Sequence, residues 1–199
     1  ERRMKALWLE KQGKIDEAAD NYQRILKEYP DDKAALAKVA WIDMERGNYT
    51  EAADHYRRLC LLKPDDVAYQ IRWGICLLWT NKSDEGLQKL YELDFRYPDN
   101  TDVIRALAWG LLLQGKAKKA EETYDRLLSS GQDESQDWLN AAYSKWFQGK
   151  VSDAVILFKN YKAKENHDIR KAFENDSQLF LIYGVTSCDI HIMLDLIDE

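Results

Sequence analysis

The three prolines of this chain, Pro30, Pro64 and Pro98, stand 34 residues apart, and a helix-terminating residue repeated at one interval constrains the fold more than any other feature. Gly13, Gly47, Gly115 and Gly149 fall on the same grid. Asn81 fills the missing slot, where it is expected to replace glycine because Asn reaches positive φ more readily than other non-glycine residues. Small residues recur at Ala18, Ala52, Gly86, Ala120 and Ala154, and large apolar ones at Tyr22, Tyr56, Leu90, Tyr124 and Phe158. Ile25, Leu59, Leu93, Leu127 and Tyr161 form a third column. Each period therefore predicts a helix A before the glycine and a helix B after it, over 33–46 and 49–62 in the second unit. The glycine supplies the left-handed residue that ends helix A, and the proline stops helix B. A large side chain in the small column would force the pair apart, so that column marks the crossing of A and B.

In this register the chain resembles the tetratricopeptide repeat family, a helix-turn-helix of 34 residues with a small-large-Pro signature. The resemblance covers residues 1–164 as five units, 1–32, 33–66, 67–100, 101–134 and 135–164. It implies an all-α, right-handed α-solenoid, closed by a C-terminal helical cap over residues 165–199. In that cap, 168–174 and 177–183 read as short helices, and Ile190, Met193, Leu194 and Ile197 mark one face of a last helix. Thr186 with Asp189 three residues on reads as its capping box.

The chain departs from the pattern in places. Gln132 follows Gly131 where Pro is expected, which predicts a looser turn into the fifth unit. Asp43 and Lys145 occupy a column that is otherwise Leu9, Leu77 and Leu111, and a charge there is costly unless its head reaches water or a partner. Arg2 and Lys5 stand at normally apolar positions of a first unit that starts abruptly, without an initiator Met. That unit is read either as a solvated cap or as the edge of a longer array.

Charge then excludes partners. Lys and Arg total 29 against 35 Asp and Glu, a net of −6 and a pI near 5.2, so nothing suits a nucleic-acid backbone. Arg170 and Lys171 face eight carboxylates within residues 165–199, so the whole net charge resides in the cap. No apolar run approaches membrane-spanning length. The chain reads as a soluble protein of the cytoplasm or the periplasm, with nothing to choose between them. Cys60, Cys76 and Cys188 are far apart and read as reduced thiols.

Catalytic signatures are missing: the sequence holds no phosphate-cradling glycine loop, nucleophile elbow or paired-histidine zinc spacing. His191 and Asp195, one helical turn apart with Asp189 and Asp198 nearby, read as a solvated acidic face rather than a metal site, and His55 as a surface residue. Lys116, Lys118 and Lys119 form a solvated charge run. No catalytic residue, metal ligand or cofactor is therefore assigned.

The A helices carry a second apolar stripe where an ordinary surface helix has one. It comprises Trp41 and Met44 with Ala37; Ile71, Ile75, Leu78 and Trp79; Trp109, Leu112 and Leu113 beside Arg105; and Leu139, Tyr143, Trp146 and Phe147. The first unit adds only Leu7, flanked by Arg3, Glu10 and Lys11. The resemblance implies that this stripe lines the concave face of the superhelix. Six aromatics there, at roughly 150 Å² each, would exceed the ~300–600 Å² apolar patch of a typical monomer. Ile75, Leu78 and Leu112 also read as packing between repeats. The family's carboxylate clamp of Lys, Asn and Arg is not matched, because its Asn column here is Leu7, Trp41, Ile75, Trp109 and Tyr143.

The expected function is a non-enzymatic scaffold that holds an apolar or amphipathic peptide in this groove, with Arg72, Asp102 and Arg105 orienting it at the rim. The alternative is an assembly domain of a larger protein, its groove filled by its own C-terminal helix or by a second copy.

Overall fold

The computed structural model describes the backbone of residues 1–199 and every side chain except that of Glu165. Its regular elements, among the described residues, are thirteen α-helices. Five hairpins come first: α1 (Arg2–Lys11) with α2 (Ile15–Glu28), α3 (Lys33–Glu45) with α4 (Tyr49–Leu62), and α5 (Val67–Leu78) with α6 (Ser83–Arg96). They continue with α7 (Thr101–Leu113) and α8 (Ala117–Ser129), then α9 (Ser135–Trp146) and α10 (Val151–Glu165). The C-terminal segment forms α11 (Ile169–Asn175), α12 (Ser177–Ile182) and α13 (Ser187–Asp198).

Local chemistry sets these boundaries. The side chains of Asp32, Asp66 and Asn100 accept from the first-turn backbone amides of α3, α5 and α7, satisfying donors that have no partner inside the helix. Gly13, Gly47, Gly115 and Gly149 all have φ between +72° and +78°, the left-handed conformation expected of a residue that ends helix A. Asn81 does not join them: Asn166 is the non-glycine residue with positive φ. The α5–α6 turn closes differently, with Thr80 Oγ1 donating to the Leu77 carbonyl at 2.8 Å and accepting from the Lys82 amide at 3.1 Å. A side-chain bridge there removes the need for a left-handed residue. Thr186 and Asp189 form the expected capping box of α13.

The molecule divides into two compact units, Glu1–Leu93 and Asp94–Glu199, with the boundary inside α6. In the first, Ala18, Tyr22 and Ile25 of α2 are buried with Ala6 and Leu9 of α1 and with Val39 and Ile42 of α3. Ala52, Tyr56 and Leu59 of α4 are similarly enclosed by α3 and by Cys76 and Leu77 of α5. Both of these B helices are thus covered on two sides, and each large side chain so buried contributes roughly 1.5–3 kcal/mol. The small column lies where the helices meet. Ala18 and Ala52 are fully buried, and a Cβ placed on Gly86 would stand 2.8 Å from the Gly74 carbonyl oxygen.

In the second unit, α8 packs against α7 and α9, with Ala120, Tyr124 and Leu127 fully buried. Arg126 of α8 donates to the Pro98 carbonyl at 3.1 Å, fastening the turn that precedes α7. The turn before α9 lacks the proline yet is well held. Arg105 Nη2 reaches the Gln132 carbonyl at 3.3 Å, and Asp137 and Glu134 form a capping box at the start of the helix. Lys145 is also partnered, lying 2.8 Å from Glu121. Asp43 of the first unit approaches His55 Nδ1 at 3.1 Å, without the angle of a good hydrogen bond. No described helix is long and apolar enough to cross a membrane.

Candidate functional site

The second stripe meets two different environments. In the first unit, successive A helices α1, α3 and α5 bound an open groove of about 670 Å³. Leu7, Trp41 and Tyr69 supply its apolar surface, with the rings of Tyr22 and Tyr56 behind them. Helical spacing brings these residues to one side, because positions three, four and seven apart share a face. Trp41 is half-buried against the α1–α3 core.

Charges rim this groove in a definite order. Lys38 donates to Glu10, whose other oxygen accepts from the Tyr22 hydroxyl at 2.9 Å. Burial raises the Glu10 carboxyl, but those two hydrogen bonds and the lysine charge outweigh it and hold the group below its ordinary value. Arg3 pairs with Asp32, and Asp66 caps α5. Arg72 differs: its guanidinium reaches only the Tyr56 hydroxyl, at 3.4 Å, so it stands in the groove without a carboxylate partner among the described residues.

The remaining stripe residues of this unit lie elsewhere on the same helices. Ile71 and Leu78 are buried in α5, and Ile75 is half-buried. Met44 packs half-buried against the α3–α5 core. Trp79, 39% exposed, follows α5 and stacks on Tyr49 with ring centroids 5.5 Å apart.

In the second unit the chain covers its own stripe. Leu112, Leu139 and Tyr143 are buried, whereas Trp109, Leu113, Trp146 and Phe147 are half-buried. Tyr183 at the end of α12 stacks on Phe147 at 4.1 Å and donates its hydroxyl to the Leu112 carbonyl of α7 at 2.7 Å. Phe180 stands edge-on to Tyr143, Trp146 and Phe147, while Phe173 of α11 stacks on Trp146 at 5.6 Å. Tyr143 donates to Asp176 at 2.9 Å. Burial raises the Asp176 carboxyl against the opposing effect of that bond. The helix that lies on the stripe is therefore α12, supported by α11, whereas α13 packs on α10 with Asp198 meeting Lys162.

Arg105 is consumed internally. It binds Asp137, which has no exposed surface, through Nε at 2.9 Å and Nη2 at 3.0 Å, and Asp102 through Nη1 at 2.9 Å. Sequence reasoning missed Tyr69 of the groove, which lies one helical turn before Arg72, and it missed Phe173, Phe180 and Tyr183 as occupants.

A family model for the tetratricopeptide repeat matches residues 3–67. No curated protein sequence matches the chain. Among solved structures, PilW, a widely conserved type IV pilus biogenesis factor, is 18% identical, with 96% of this chain and 88% of that one covered at a TM-score of 0.72. A thermophilic tetratricopeptide repeat protein from Thermus thermophilus is 17% identical, with 92% and 95% covered at 0.67. YrrB, a repeat protein described as having an unusual peptide-binding site, is 12% identical, with 84% and 87% covered at 0.61. At such identities the likeness speaks for the fold. Together with the 34-residue columns and the glycine-ended helical hairpins, it shows that the chain has an all-α solenoid fold of helical repeats, in which residues 3–67 match the tetratricopeptide repeat model.

Proposed function

We propose that the chain is a non-enzymatic interaction scaffold and that the groove on α1, α3 and α5 is where it holds an apolar or amphipathic peptide. The observation that carries this reading is Arg72 beside Trp41 and Tyr69: a cation without a carboxylate partner among the described residues, set among rings that line an open groove. An aromatic anchor gives affinity when its partner desolvates it, and a cation at the edge fixes orientation. YrrB's peptide-binding site offers a precedent for this use of the fold in another protein. The five-unit division of residues 1–164 with a cap over 165–199 belongs to the same proposal.

A second reading is supported by α12. The stripe of α7 and α9 is the part of the expected groove that the chain fills itself, so in Asp94–Glu199 this surface serves internal assembly. Trp109, Leu112, Leu113, Leu139, Tyr143, Trp146 and Phe147 then act as peptide contacts only after α12 leaves.

The test is selection of displayed peptides on the immobilised 199-residue chain, followed by titration of synthetic winners. Amphipathic sequences with aromatic or aliphatic anchors are expected, and Trp41→Ala should weaken them by about 2 kcal/mol, roughly thirtyfold, while helix content stays unchanged. Charge reversal at Lys118, exposed in the first turn of α8, should have little effect. Winners that bind Trp41→Ala and wild type alike would remove the groove from the account.

A further inference from the structure

Two successive repeats build the same corner of the groove with one exchange. In the first, Glu10 of α1 lies between Tyr22 of α2 and Lys38 of α3: the Tyr22 hydroxyl donates to one carboxylate oxygen at 2.9 Å, and the lysine ammonium donates to the other. Burial raises this carboxyl, and the two hydrogen bonds with the lysine charge outweigh it, so the corner favours an ionised acid. The residues 34 positions on are Met44 of α3, Tyr56 of α4 and Arg72 of α5. The phenol and the cation return, and a thioether stands at the position of the carboxylate. Arg72 Nη1 donates to the Tyr56 hydroxyl at 3.4 Å, and no carboxylate meets either group among the described residues.

Both polar groups of this second corner line the groove with bonding capacity left over. Tyr56 is 1% exposed, and its hydroxyl accepts from Arg72 but has no acceptor for its own proton among the described residues. A guanidinium is all donor, so Arg72 cannot supply that acceptor. One carboxylate would satisfy the two at once, as Glu10 does for Tyr22 and Lys38. Apolar anchors stand beside the corner: Tyr69 lies against Tyr56 with ring centroids 6.3 Å apart, and Trp41 lines the same groove. The unit Asp94–Glu199 shows an acid and aromatic anchors arriving together on one segment. There Asp176 accepts from Tyr143, while Phe173 and Phe180, on either side of it in sequence, pack on Tyr143 and Trp146.

We propose that the groove selects its peptides by a side-chain carboxylate, which takes between Tyr56 and Arg72 the place that Glu10 takes between Tyr22 and Lys38. The Tyr56 hydroxyl donates to one oxygen and the Arg72 guanidinium to the other, while a neighbouring aromatic or aliphatic residue of the peptide seats on Trp41 and Tyr69. The ligand class is thus an acidic amphipathic segment, with Tyr56 and Arg72 as its specificity-determining residues. An Asp or Glu side chain is the source rather than a chain terminus, because a glutamate side chain meets the same pattern one repeat earlier. The assignment rests on the groove being a peptide site and adds the charge that the peptide carries.

The experiment takes peptides selected on the 199-residue chain, synthesised with amidated C-termini, each beside an analogue whose Asp and Glu are replaced by Asn and Gln. Both are titrated by calorimetry into wild type, Arg72→Gln, Tyr56→Phe and Met44→Glu, and circular dichroism checks that each variant folds. The readout is the ratio of the two affinities, which a general loosening of the groove does not move. Wild type should prefer the acidic peptide roughly tenfold or more. Arg72→Gln should lose most of that preference and Tyr56→Phe part of it. Met44→Glu supplies the carboxylate from within, as Glu10 does in the preceding repeat, and should also abolish the preference. A free C-terminus on the neutral analogue should restore none of it; restoration would assign the corner to a chain terminus and overturn the proposal. Peptides that need Trp41 but bind equally well without their acids, or that keep the preference in Arg72→Gln, overturn it and leave the groove standing. Peptides indifferent to Trp41→Ala remove the groove and the proposal with it.

Discussion

Replacing Tyr183 with Ala should loosen α12 from the α7–α9 face and uncover aromatic surface that the chain now covers itself. The ring stacks on Phe147 at 4.1 Å, and its hydroxyl donates to the Leu112 carbonyl, which also accepts from the Gly115 amide at 3.1 Å. Removing a half-buried ring withdraws about 100 Å² of apolar contact, or ~2.5 kcal/mol at ~25 cal/mol per Å². The lost stacking and the lost hydroxyl hydrogen bond each add roughly 1 kcal/mol, and relaxation recovers part of the sum. The expected net loss is therefore about 3 kcal/mol, concentrated in the docking of α11 and α12. Urea unfolding gives the total, hydrogen exchange on α12 amides gives the location, and an apolar fluorescent dye reports the uncovered rings. Deleting residues 185–199 is the informative contrast. Helix α13 packs on α10, so its loss should lower stability with much less dye binding. Equal dye binding by wild type and Tyr183→Ala, with unchanged exchange in α12, would refute this reasoning.

Three further outcomes are expected. Glu121 is raised by burial, but hydrogen bonds from Lys145, Lys150 and Gln148 outweigh that and hold it at about 2 against an ordinary 4.5. A depressed carboxylate contributes stability above its unfolded value and loses it as pH falls through the folded one. The stability gap between wild type and Glu121→Gln, at most about 3 kcal/mol, should therefore be full above pH 4.5 and close toward pH 2; a gap independent of pH in thermal melts contradicts it. Gly86→Ala should destabilise by about 1–3 kcal/mol, since the new Cβ meets the Gly74 carbonyl oxygen at 2.8 Å and Leu78 N at 2.9 Å. Ala52→Leu, Ala120→Leu and Ala154→Leu should do likewise, and unchanged denaturant midpoints would show that the small column is not the helix crossing. Arg105→Ala leaves the buried Asp137 carboxylate without its guanidinium and should cost about 3–5 kcal/mol, read by the same unfolding curves.

The parts of the fold legible in the sequence are those that recur. Glycine at the end of helix A, alanine at the crossing and tyrosine or leucine in the core each appear in several units, so chance resemblance is averaged away. The charges in the apolar column were legible as a condition, and for Lys145 the condition is met by Glu121, a residue on the preceding B helix that no column marks. Asn81 shows the limit of reading by register: a side-chain bridge from Thr80 solved the same turn by other means. The contact of Tyr183 with Phe147 and Leu112 was not legible, because it occurs once and spans an interval that matches no period. The sequence therefore displayed one continuous aromatic stripe, while the structure separates it into an open groove in one unit and a self-covered face in the other.

The most direct test of that separation is the indole region of a nitrogen-15 spectrum of the chain, whose seven tryptophans give seven side-chain probes. On titration with a selected amphipathic peptide, the Trp41 indole should shift with saturation behaviour, while Trp146, packed between Phe147 and Phe173, should stay in place until Tyr183→Ala releases α12. A peptide that moves the Trp146 signal in the wild-type chain and leaves Trp41 unmoved would contradict the account.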